Sequence, residues 1–264
     1  MAKREFKEKF IGYYKALKNM YVDNVEKKDE YTFISSNIID DGIWTFVCDL
    51  KANAIDEINL VFNSSKNKFI NRVPRFYILA DEINKSLLSE LKQQYNVYCE
   101  DSWFCSKCCD LELNFNSKID ITVKICEDKS DIIETIMKGF STGDPNDPYG
   151  DLSPTYREAL EVNFGKENDG FKSIHFVAYH KEEPISVATI THNQEIAYLN
   201  NVTTLKEFKG KGVAKEVLTN CIKYLKEIGV SEIMFATETG EYTEIFYKNL
   251  GFKVVNYGYC FEEK

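Results

Sequence analysis

Between Ala197 and Lys215 the chain reads Ala-Tyr-Leu-Asn-Asn-Val-Thr-Thr-Leu-Lys-Glu-Phe-Lys-Gly-Lys-Gly-Val-Ala-Lys. A β-rich run ends in a basic, glycine-containing turn, and an amphipathic helix starts directly from that turn. A helix that opens this way aims unpaired backbone N–H groups and the positive end of its dipole at one point. Lys209, Lys211 and Lys215 add ammonium groups there. The combination suits a phosphorylated ligand. Two other phosphate loops do not fit, since no Gly-x-x-x-x-Gly-Lys-Ser/Thr occurs and the three-glycine Rossmann spacing is missing.

A Gly-x-Gly pair alone marks no more than a turn, so its flanking elements decide its meaning. From Gly212 onward, Ala214, Val217, Leu218, Cys221, Ile222, Leu225 and Ile228 recur at helical spacing, and Gly229 supplies a stop. Val230–Ala236 then reads as a buried strand. Strand, helix and strand make a crossover unit, right-handed in nearly all sheets. Further on, Tyr242–Val254 reads as a short helix, with Gly251 as its C-cap and Phe252 opening a last strand.

Lys209-Gly210-Lys211-Gly212-Val213-Ala214 resembles the Gln/Arg-x-x-Gly-x-Gly/Ala signature of the GNAT superfamily, the Gcn5-related N-acetyltransferases. Phe246-Tyr247-Lys248-Asn249-Leu250-Gly251-Phe252 resembles the same family's closing helix and strand. The resemblance covers residues 118–264 and implies a GNAT acyl-CoA N-acyltransferase fold there, an α+β architecture with a twisted mixed sheet. It also implies acetyl-CoA as co-substrate. The cofactor's pyrophosphate would lie on Lys209, Gly210, Lys211, Gly212, Val213, Ala214 and Lys215. Its pantetheine arm would pair with Val202, Thr203 and Thr204. Direct transfer of the acetyl group to a primary amine would need a backbone N–H at a bulge near Asn200-Asn201-Val202, to polarise the thioester carbonyl. Tyr247 matches the position of the general acid that protonates the departing thiolate. Both assignments have plainer rivals: a buried core tyrosine, and a pair of polar strand-end asparagines. The first motif position is Lys209, which keeps the charge but lacks the planar fork of arginine. Gly240 stands where many members carry an asparagine that contacts the cofactor.

A base for the substrate ammonium is not assigned. Glu238 and Glu195 border the expected cleft, and His175 and His192 compete with them. Asp144, Asp147 and Asp151, in the polar loop 143–153, would attract a cationic amine or simply form turns and caps. Gly139-Phe140-Ser141-Thr142-Gly143 matches the Gly-x-Ser-x-Gly of α/β-hydrolases. Its context is inverted, however, with a helix before it and a loop after. A catalytically inactive GNAT-like module that binds coenzyme A or regulates a partner is the alternative to an enzyme.

The chain of 264 residues is 44% hydrophobic and carries a net charge of −9, enough for one large domain or two small ones. The acidic balance argues against nucleic acid as partner, and no apolar run approaches a membrane span. The expectation is therefore a cytoplasmic protein, monomer or homodimer, acting on a small-molecule or peptide amine. Cys99, Cys105, Cys108 and Cys109 cluster, but a structural zinc site needs a second well-spaced pair. They read as reduced cysteines of a strand and its edge, with no metal site assigned. Cys48, Cys126, Cys221 and Cys260 read as small core residues. The sequence divides near Asn114–Lys118, into a smaller α/β domain (1–117) and the GNAT-like domain (118–264). The first has a similar element order with no Gly-x-Gly turn after any strand, as a degenerate copy of the second would.

Overall fold

The computed structural model describes residues 2–18, 20–140, 149–166, 168 and 170–264. In chain order the elements are α1 (Lys3–Ala16), β1 (Asn24–Lys27), β2 (Thr32–Ser35), β3 (Phe46–Cys48), α2 (Ile55–Ser65), β4 (Arg75–Leu79), α3 (Lys85–Gln94) and β5 (Tyr95–Lys107). There follow β6 (Thr122–Cys126), α4 (Lys129–Gly139), α5 (Pro154–Asn163), β7 (Lys172–His180), β8 (Glu183–His192) and β9 (Ile196–Thr204). The chain closes with α6 (Val213–Glu227), β10 (Glu232–Glu238), α7 (Tyr242–Asn249) and β11 (Val254–Glu263). No helix among the described residues is long and apolar enough to cross a membrane.

By contact the chain forms two compact units, Met1–Trp103 with Val254–Lys264, and Phe104–Lys253. The expected division at 117/118 lies inside the second of these. In the first unit the strand order is β1-β2-β3-β4-β11. Its core is built from Phe33, Phe62, Phe76, Tyr95 and Phe261 with aliphatic residues of α2 and α3. β1 was not expected from sequence: Asn-Val-Glu-Lys has no apolar alternation and buries neither end, yet its backbone pairs with all of β2.

The second unit has the order β10-β9-β8-β7-β6, antiparallel except for β10 beside β9. α6 buries Val217, Leu218, Cys221, Ile222 and Leu225, while Ile228 caps its end and is exposed. Phe176 of β7 meets Tyr224 of α6 edge-on at 5.6 Å. α4 is capped by Asp128, whose carboxylate accepts from the Asp131 N–H at 2.9 Å, and buries Ile132, Ile133 and Ile136.

Two departures from regular pairing shape β9. Its parallel register with β10 runs from Glu232↔Ile196 to Met234↔Tyr198 and stops there, although both strands continue. The two therefore part, leaving a gap between 199–204 and 235–238. On the other side, Thr189 faces Asn200 and Val187 faces Thr203, so the single residue Ala188 opposes both Asn201 and Val202. This is a β-bulge, and Asn201 takes the left-handed φ of 53° that such a kink needs. The Asn201 side-chain amide donates to Thr189 Oγ1 at 3.4 Å, and Thr189 Oγ1 lies 2.9 Å from His175 Nδ1. The threonine hydroxyl has two lone pairs and one proton, so it donates to Nδ1 or accepts from it as the ring's tautomer decides. The His175 ring also stacks on Phe164 at 5.7 Å.

Burial lowers the His175 pKa from 6.5 to about 4. The unfolded chain therefore takes up this proton first on acidification. The contribution of His175 is complete above pH 6.5 and is lost as pH falls from 6.5 towards about 4. Urea titrations across this window should show wild type losing stability, with a shallower loss for His175→Gln. Parallel pH profiles for the two proteins would refute the assignment.

Candidate functional site: a cavity at the start of α6

The turn into α6 owes its shape to two left-handed glycines, Gly210 at φ 74° and Gly212 at φ 86°. Gly212 is the N-cap and offers no side chain to the helix. The first intrahelical bond to its carbonyl comes from Glu216, at 3.2 Å. Among the described residues the N–H groups of Val213, Ala214 and Lys215 have no acceptor.

The segment where the sequence suggests a domain division holds this turn in place. Lys118 N–H and the Ser117 hydroxyl both donate to the Lys211 carbonyl, at 2.8 and 3.3 Å. Ser117 N–H donates to Glu216 Oε2 at 2.6 Å, and Phe115 N–H to Thr219 Oγ1 at 3.3 Å. A Cβ on Gly212 would meet the Asn116 carbonyl at 3.4 Å. Lys215 Nζ sits over the Phe115 ring at 5.0 Å, and Lys211 Nζ over the Phe208 ring at 5.1 Å.

A cavity of about 520 Å³ opens in front of this turn. Of the residues singled out from sequence, Val202, Thr203, Thr204, Lys209, Gly210, Gly212, Val213, Ala214, Lys215 and Tyr247 all line it. Lys211 does not, its carbonyl being turned towards residues 117–118. Sequence reasoning missed Phe115, Asn116 and Lys118 on one wall and Phe140, Tyr149, Tyr242, Thr243 and Phe246 on others. Phe115, Asn116, Lys118, Phe140 and Tyr149 come from segments that no motif ties to the glycine turn, while Tyr242, Thr243 and Phe246 share the closing helix with Tyr247. The described lining includes three lysines and no carboxylate, although the whole chain is acidic.

Tyr247 is 6% exposed and packs against Phe235, Phe246, Phe252 and Phe104. Burial, and then the neighbouring Tyr149 hydroxyl, raise its pKa far above the usual phenol, so it stays protonated at any working pH. The Thr243 hydroxyl oxygen, on the first turn of α7, is buried without a hydrogen-bond partner among the described residues. A buried hydroxyl left so beside a cavity points to a bonding partner supplied by a ligand. Before α7, the Gly240 N–H donates to Glu244 Oε2 at 2.8 Å, so the backbone here is capped from within.

The base candidates separate by position. Glu195 lies at the far end of β9, where its carbonyl accepts from Ser231 and Glu232 N–H. At ~3.3 Å per residue the strand carries Val202 some 20 Å from there. His192 pairs with Ala197 at that same end, and His175 is committed to Thr189. Glu238 closes β10, with its N–H donating to the Tyr149 hydroxyl at 3.4 Å. Burial, and then Glu241, raise its carboxyl pKa.

Gly139 ends α4 for a packing reason: a Cβ there would come within 2.3 Å of Thr203 Oγ1. Ser141, Thr142 and Gly143 of the hydrolase-like pentapeptide, and Asp144 and Asp147, lie outside the described residues; Asp151 is exposed. Among the clustered cysteines, Cys108 is buried and Cys109 exposed, in a 3-10 turn rather than on a strand. No group of three or more His, Cys, Asp or Glu among the described residues is placed to hold a metal ion. Cys48, Cys126, Cys221 and Cys260 are all buried.

Comparison with known proteins bears on this geometry. Residues 137–252 match the acetyltransferase (GNAT) family. No curated protein matches the sequence. Among solved structures, a functionally unknown conserved protein from Staphylococcus epidermidis superposes with a TM-score of 0.69 at 13% identity, over 94% of this chain and 96% of its own. A GCN5-related N-acetyltransferase from Kribbella flavida gives 0.64 at 10% identity, over 91% and 89%. A tandem GNAT protein from the clavulanic acid biosynthesis pathway gives 0.55 at 8% identity, over 88% and 77%. Such low identities speak for the fold alone. The chain thus has the fold of GNAT proteins, and its residues 137–252 match the acetyltransferase (GNAT) family.

Proposed function

We propose that the protein is an N-acetyltransferase that moves an acetyl group from acetyl-CoA to a primary amine within a ternary complex. The observation that carries this reading is one cavity joining the glycine turn, the interrupted stretch of β9 and Tyr247. The residues fit the co-substrate. Val213, Ala214 and Lys215 present N–H groups at a helix N-terminus, where the dipole and the Lys118, Lys209 and Lys215 ammonium groups favour pyrophosphate. Val202, Thr203 and Thr204 border the gap left by β10, so their backbone is placed to pair with an extended amide-bearing arm. Thr243 supplies a hydroxyl in need of a partner, which offsets the loss of the asparagine replaced by Gly240.

Acetyl-CoA brings a thioester whose carbon accepts the amine. The ammonium loses one proton before it attacks; the C–N bond then forms as the C–S bond breaks, the nitrogen loses a second proton, and the departing sulfur gains one. The chain's own groups serve these needs. The bulge at Asn201 and Val202 turns strand backbone towards the developing oxyanion. Tyr247, protonated at working pH, passes its proton to the sulfur and recovers one from the nitrogen as the amide forms. Glu238, whose carboxyl lies outside the described cavity lining, takes up the ammonium's first proton through water, its raised pKa making it a stronger base than an exposed glutamate.

Two variants test the parts separately. Gly212→Asp places a side chain and a negative charge at the closest approach to the phosphates, in a left-handed position that disfavours it. Calorimetry should find no acetyl-CoA binding, and unchanged affinity would overturn the loop assignment. Tyr247→Phe should keep that affinity while thiol release in the presence of amines falls by about 10². A variant as fast as wild type would show that the proton comes from elsewhere. Wild type that binds acetyl-CoA but releases no thiol with any amine would mark a non-catalytic coenzyme A-binding module.

A further inference from the structure

We infer that the acceptor is a primary amine carried on an aromatic or similarly flat apolar body. The inference rests on the transferase reading and adds the substrate class. The cavity's charge is divided, though rings line both ends, with Phe115 and Phe208 beside the glycine turn. Its cations, Lys118, Lys209 and Lys215, all belong to the segments around the glycine turn. With the pyrophosphate there and the arm along Thr204 to Val202, the thioester falls at the opposite end. That end is walled by rings. Phe140 and Tyr149 meet edge-on at 6.0 Å, and Phe246 meets Tyr247 edge-on at 5.1 Å and stacks on Tyr242 at 6.3 Å.

Phe140 directly follows Gly139, whose missing Cβ lets α4 approach Thr203, so this ring borders the stretch of β9 where the arm would end. Tyr149 is tied to the same place from the other side, through the Glu238 N–H. An apolar, π-faced wall binds flat hydrocarbon by area and attracts a single ammonium through the ring faces. Among the described lining residues no carboxylate pairs the further charges of a polyamine or an aminosugar, which the rings would desolvate at a cost. The Tyr247 hydroxyl is left to meet one nitrogen.

Calorimetry on protein saturated with coenzyme A, using 2-phenylethylamine and spermidine as probes, tests this directly, alongside acetyl transfer to the same two amines. Phenylethylamine should bind and should be acetylated with a kcat/KM at least about tenfold above that of spermidine. Phe140→Ala and Tyr149→Ala should each weaken phenylethylamine binding by about tenfold, with coenzyme A affinity and melting temperature close to wild type. Tyr149→Phe, which keeps the ring, should restore binding. Spermidine bound and acetylated as well as phenylethylamine would overturn the inference while leaving the transferase reading intact. Phenylethylamine that binds at the rings without being acetylated would support the pocket and sink the transferase reading. Failure of both probes to bind would overturn the inference.

Discussion

β9 keeps its parallel partner for three residues and then loses it. Beyond Met234↔Tyr198 the two strands part, and the backbone of 199–204 has β8 on one side only. Exposed strand edges are a liability that proteins cover, shorten or use. Here the edge lies inside a cavity, with α6 opening at its far end and α7 along its flank. The bulge adds to the effect, because the extra residue kinks β9 just where it leaves β10. The proposed chemistry depends on this one failure of pairing: without it there is no slot for an extended arm and no backbone turned towards a thioester.

The cost of holding β9 in that shape is met from behind. Asn201, Thr189 and His175 form a polar chain behind the strand. Burial keeps the imidazole neutral. At the other end of the slot the Gly210–Gly212 turn is gripped by residues 115–118, which bond to the Lys211 carbonyl and to α6 side chains. Both supports lie outside the cavity's chemistry, yet both set where its groups stand.

The sequence carried the second unit's architecture well, because local signals agreed there. α6 has a glycine at each end and a continuous apolar stripe, and the β7–β8 turn falls at Lys181-Glu182, where both residues have positive φ. The bulge also falls at the asparagine pair. Other features depended on distant contacts and stayed hidden. Asn114–Lys118 is polar and looks like a linker, but its bonds go to residues about a hundred positions away. β1 forms through backbone pairing without an apolar face. Phe140 and Tyr149 sit in a stretch whose composition suggests only a loop, and nothing local says that their rings meet α7's cavity wall. Glu195 looked equivalent to Glu238 until the strand direction put them at opposite ends.

Hydrogen–deuterium exchange with and without coenzyme A tests the central claim, that the parted strands and the glycine turn form one binding slot. Saturation with coenzyme A should slow exchange at the amides of 202–204 and of 213–215 together. Protection at the turn with none along β9, or at neither while coenzyme A binds, would contradict it.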